Sequence, residues 1–120
     1  MLDLLGRPYR LGADGGGGDG AIDCIHLVYE VRTRLQLPCP PFQQSWYSAP
    51  MRSVLRDMLR WGKRIEKPLY DGDVALVPSE RWIFAVTWDQ GLLLVSAITE
   101  KVRWCPYRSV PSCHYFRHKS

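Results

Sequence analysis

Cys24 stands directly after Asp23 and a few positions behind the run Gly15-Gly16-Gly17-Gly18, where an apolar periodicity begins. Ile25, Val28, Val31 and Leu35, joined by Leu27, recur at helical spacing, so the cysteine is placed in the first turn of a helix. A thiol there feels the positive end of the helix dipole, which favours thiolate, and the unpaired N–H groups of that turn can hold a developing oxyanion. The position suits a nucleophile, and it equally suits a small buried hydrophobe. A nucleophilic cysteine also needs a base that holds the thiolate and returns a proton to the leaving amine, a contribution of about 10²–10⁴-fold. His26 is two residues on, about 200° around the helix, and is expected to face elsewhere as a core or surface histidine.

Other chemistries fit the residues poorly. A phosphate loop needs Lys-Ser or Lys-Thr after its glycines, and Asp19-Gly20 stand there instead. A calcium loop needs alternating oxygen ligands and a closing glutamate, which the Asp14 to Asp19 segment lacks. Cys24, Cys39, Cys105 and Cys113 show neither the CxxC pairs of a zinc site nor a dense disulfide framework, so they read as free thiols. Cys105 and Cys113 could bond only if their strands lay side by side. No metal or cofactor is expected. The net charge of +4, from 16 basic and 12 acidic residues without a basic block, argues against a specific nucleic-acid partner.

The elements that must position Cys24 fall into two textures. The turn-rich lead, Gly6-Arg7-Pro8-Tyr9 through Gly20, reads as loop, with the glycine run mobile. A helix spans Ile22 to about Gln36, with Asp23 as a first-turn acid, and Pro38, Pro40 and Pro41 stop it. Met51, Val54, Leu55, Met58 and Leu59 mark a second helix with Pro50 near its start, Gly62 as terminator, and Arg52, Arg56 and Arg60 on a solvated side. Beyond Pro68 the pattern turns to strands: Asp73 to Val77, Trp82 to Trp88, Leu92 to Ile98, Val102 to Trp104, and Cys113 to Phe116. Asp89-Gln90-Gly91 signals a hairpin with glycine in the left-handed position. Helices first and strands after point to an α+β fold with N-terminal helices on an antiparallel sheet. At 120 residues and 46% apolar composition, one domain over residues 1–120 is expected. No apolar run approaches the ~20 residues of a membrane span, and Met1 to Arg10 lacks signal-peptide zones, so synthesis is expected to end in the cytoplasm.

Gly6-Arg7-Pro8-Tyr9-Arg10-Leu11-Gly12, a spacer, and Ile22-Asp23-Cys24-Ile25-His26-Leu27-Val28 resemble the opening signature of the NlpC/P60 cysteine peptidases, particularly forms found in phage tails. Tyr70-Asp71-Gly72-Asp73-Val74-Ala75-Leu76-Val77 is similar to that family's Gly-Asp strand, and Cys113-His114-Tyr115-Phe116-Arg117 to the closing strand of phage members. The resemblance implies a papain-like fold and cleavage of peptidoglycan stem peptides. In that scheme Cys24 matches the nucleophile, Asp23 its acidic neighbour and Tyr9 the tyrosine supporting the oxyanion. The histidine does not carry over: Ile83, or Trp82 in a shifted register, holds its place, and the third position, near Ser96, has no histidine either. His114 and His118 would reach the site only through a topology the family does not use.

The resemblance therefore implies a structural component of a phage or phage-derived tail tip, hub or baseplate, with its peptidase site degenerate. Its partners would be other tail or baseplate proteins, with peptidoglycan a further one, and its location the virion tail after synthesis in the host cytoplasm. The alternative is an active tail-associated endopeptidase or amidase using Cys24. Trp46 and Tyr47, between proline-rich turns, are the expected partner-binding pair.

Overall fold

The computed structural model describes residues 1–68, 70–79, 81–110 and 112–119. Two helices, α1 (Cys24–Arg34) and α2 (Met51–Trp61), precede six strands: β1 (Gly62–Ile65), β2 (Val74–Pro78), β3 (Trp82–Trp88), β4 (Gly91–Leu94), β5 (Arg103–Pro106) and β6 (His114–His118). The strands form one sheet in the order β1-β6-β2-β3-β4-β5, antiparallel at every pairing. The fold is α+β. No helix among the described residues is long and apolar enough to cross a membrane.

Alternation along β3 sorts the two sheet faces. Trp82, Phe84 and Val86 join the core beneath the helices, where Ile25, Val28, Val31, Val54 and Met58 are buried. Ile83 and Ala85 face the other way, into a smaller cluster with Ala75, Val77 and Leu92. Neither α1 nor α2 covers that second face; Tyr107, in a short 3-10 turn, with Val110 and Cys113, from the chain passing between β5 and β6, pack there instead. Arg32 is buried in α1. Its Nε donates to the Pro38 carbonyl at 2.7 Å and its Nη1 to the Gly72 carbonyl, tying the end of α1 to the approach to β2.

Several boundaries differ from the sequence expectation, each for a local reason. The strand expected to run to Ile98 ends at Leu94, because the Ser96 hydroxyl accepts from the Ile98 and Thr99 amides and turns the chain. In the β3–β4 hairpin the left-handed residues are Asp89 (φ 51) and Gln90 (φ 63), the type I′ pattern, and not Gly91. Gly91 is required for close approach instead: a Cβ there would lie 2.4 Å from the Cys105 carbonyl oxygen and 2.6 Å from the Trp104 ring. β1 was not anticipated, since Gly-Lys-Arg-Ile carries no alternation. Gly62 does terminate α2, and it also lets β1 start at once: a Cβ would stand 2.5 Å from the Arg117 carbonyl oxygen. Cys105 on β5 and Cys113 just before β6 are separated by β4, β3 and β2, so the condition for their pairing is not met.

Gly91→Ala is expected to destabilise the fold by about 1–3 kcal/mol, since the hairpin must shift to admit a methyl group. Gly18→Ala, where a Cβ meets nothing within 4 Å, should stay within about 0.5 kcal/mol of the parent. Paired urea titrations read both.

Candidate functional site

The site forms where the glycine-rich lead meets α1. Ile22 donates to the Pro8 carbonyl, Gly15 to Ala21, Asp23 to Ala13 and Gly20 to Gly17, so the segment expected as a loose loop is pinned along its length. Positive φ at Gly12, Gly15 and Gly20 makes these turns possible. Asp23 follows in extended conformation and is the N-cap of α1, one position earlier than the first-turn acid expected: its Oδ1 accepts from the His26 amide at 2.8 Å. That oxygen also accepts from His26 Nδ1 at 2.8 Å, which fixes the hydrogen on that nitrogen. Oδ2 accepts from the Gly12 amide at 2.9 Å and from the Tyr47 hydroxyl. A carboxylate only 1% exposed is tolerable because four donors replace its water.

With Asp23 as the cap, Cys24 is the first residue of α1 and lines a cavity of about 80 Å³ with Tyr9, Asp23, Tyr47, Arg81 and Trp82. Small-molecule sites typically offer ~300–1,000 Å³, so this cavity is too small to enclose a drug-sized ligand. The Trp82 indole is fixed by donating to the Ala49 carbonyl at 2.9 Å, and Arg81 donates to the same oxygen at 3.2 Å.

The thiol does not have the character its position suggested. Burial pushes Cys24 up to about 11; the Phe84 amide opposes this, the Asp23 charge adds to it, and the amides of Cys24 and Ile25 oppose it weakly. A helix terminus is worth roughly 0.3–1 kcal/mol to an anion, and desolvation exceeds that here. Burial thus opposes the stabilisation that the helix terminus offers a thiolate. Burial also raises Tyr9 and Tyr47; for Tyr9 the neighbouring Cys24 and Asp23 act next, and for Tyr47 its hydrogen bond to Asp23 does.

The three histidines lie elsewhere. His26 is turned to Asp23 and packs against Phe42, with ring centroids 5.8 Å apart, and does not line the cavity. His114 shares a row with Leu76 and Phe84 across three strands, which places its backbone about 10 Å from that of Phe84. Its Nδ1 is buried without a hydrogen-bond partner among the described residues, and burial lowers its pKa, with Arg64 acting in the same direction. His118 packs on Trp61 at 5.2 Å. Of Ile83 and Trp82, only Trp82 shares a face with Cys24. The Ser96 hydroxyl is spent on its own turn. Among the described residues no group of His, Cys, Asp and Glu side chains could hold a metal ion.

The structure brings Tyr9, Asp23 and Cys24 to one cavity and separates the surroundings of Trp46 and Tyr47. Trp46 is 1% exposed, its Nε1 donating to Asp57 at 2.8 Å, so most of its ring is packed in the core. Tyr47 belongs to the Asp23 network. Its role was missed because no local spacing links positions 24 residues apart. Arg81 at the cavity wall was likewise not singled out. No protein-family model and no curated protein matches the chain.

Tyr47→Phe leaves a buried carboxylate oxygen short of a donor and is expected to cost about 1–3 kcal/mol in chemical denaturation. Stability should also fall in alkali. Cys24 is raised in the folded chain, so its contribution is complete below the ordinary thiol value near 8.5 and is lost as pH rises through about 11. Melting temperatures measured from pH 8 upward should decline over that window, and a flat profile would contradict the burial assigned to this group.

Proposed function

We propose that the chain is a degenerate relative of the NlpC/P60 cysteine peptidases, with a papain-like arrangement of Cys24 against the sheet, serving as a structural component of a phage or phage-derived tail tip, hub or baseplate. The observation that carries the loss of activity is the lining of the cavity: a fixed tryptophan, Trp82, stands in its wall with the half-buried Cys24 thiol, and none of the three histidines lines the space.

Acyl transfer by cysteine requires the sulfur as thiolate, a group to receive and return its proton, and room for the scissile amide. Here Asp23, Tyr47 and His26 bond one another and leave Cys24 outside their network. The arrangement retains the structural half of such a site, a capped helix carrying a cysteine on β3, without the proton-transfer half. The tail context comes from the resemblance of the opening and closing motifs to phage members, and makes neighbouring tail or baseplate proteins the partners.

Incubation of the protein and a Cys24→Ala variant with peptidoglycan stem peptides, beside a thiol-directed probe, should show no cleavage by either. Cleavage by the parent alone would overturn the reading in favour of an active endopeptidase or amidase. The protein should also co-purify with tail particles at fixed stoichiometry, and occurrence only as a free monomer would contradict an assembly role.

A further inference from the structure

The outer face of α2 is a cationic strip beside an apolar cavity. At about 100° per residue, Arg52, Arg56 and Arg60 lie on the side of the helix opposite the buried Val54 and Met58, and all three are exposed. Four residues of helix rise span about 6 Å, so three guanidinium groups are presented at even intervals along roughly 12 Å. Arg60 has Asp57 at 3.9 Å; among the described residues Arg52 and Arg56 are paired with no carboxylate. Leu59, 49% exposed, flanks one side of the strip. On the other side, Pro40, Pro41, Trp46, Asp57, Arg60 and Trp61 line a cavity of about 210 Å³. That is below the range of small-molecule sites and suits a single inserted side chain.

We propose that this face docks an acidic polypeptide segment that inserts one large apolar side chain between Pro41 and Trp61 and sets carboxylates against Arg56 and Arg60. Charge complementarity selects an acidic partner, and arginine suits it because its planar fork meets carboxylates in bidentate fashion. A polypeptide is favoured over a nucleic acid by the cavity beside the strip, whose prolines and tryptophans suit an apolar side chain. A second copy of the chain is a poor occupant. Its net charge is +4, so two copies repel on balance where an acidic segment is attracted. Only the identification of the segment with a neighbour in a tail particle rests on the assembly reading; the surface itself does not depend on Cys24.

The test uses a labelled synthetic peptide with glutamates four residues apart beside one leucine, the same peptide with serine for leucine, and a short duplex DNA of equal charge. Anisotropy at physiological ionic strength gives affinity, and the Trp61 indole N–H resonance reports the site. The leucine peptide should bind and shift Trp61. Binding should weaken at least about tenfold for the serine peptide and for an Arg56→Glu/Arg60→Glu variant, while the distant Arg103→Glu control binds as the parent does. The substituted residues are exposed, and an unchanged melting curve verifies the fold. Absence of binding, indifference to either change, or tighter binding of the DNA would each overturn the proposal.

Discussion

The buried carboxylate of Asp23 is the constraint on which the rest of the site depends. It must have donors, and the four it has come from three separate parts of the chain: Gly12 in the lead, His26 in α1, and Tyr47 in the stretch before α2. Satisfying it therefore fixes the path of the glycine-rich lead, the first turn of α1 and the loop that roofs the cavity. Cys24, the next residue, inherits its position from that requirement.

A single location at a helix start exposes a thiol to two opposed effects, and their sizes decide its chemistry. The dipole and nearby amides favour the thiolate modestly; removal of water from the sulfur opposes it more strongly, because Trp82, Tyr9 and Tyr47 fill the space around it. The same packing that builds a good core against β3 thus works against ionisation of the sulfur. An imidazolium could reverse the balance by supplying a nearby positive charge, but His26 is committed to Asp23 and His114 lies beyond Leu76 and Phe84.

The legible parts of the fold were those governed by local rules. Periodicity gave α1 and α2 to within two or three residues, alternation gave β3 at its observed ends, and helices before strands gave the α+β class. The juxtaposition of Tyr9, Asp23 and Cys24 followed from an ordered motif. Illegible were features created by distance: Tyr47 reaching Asp23, Trp46 turning inward to Asp57, and β1 pairing with the far end of the chain. The balance of effects on the Cys24 thiol was illegible for a related reason. The helix terminus is visible in sequence, whereas the desolvating walls come from Tyr9, Tyr47 and Trp82, which only folding assembles.

The central claim is that the Cys24 sulfur is a protonated thiol with no histidine beside it. Its most direct test is a pH titration of the Cys24 ¹³Cβ chemical shift in the intact protein, with Cys39, Cys105 and Cys113 replaced by serine to isolate the signal. The account predicts a single transition near 11. A midpoint below 7 that is abolished by substituting any one of the three histidines would reveal a thiolate–imidazolium pair and contradict it.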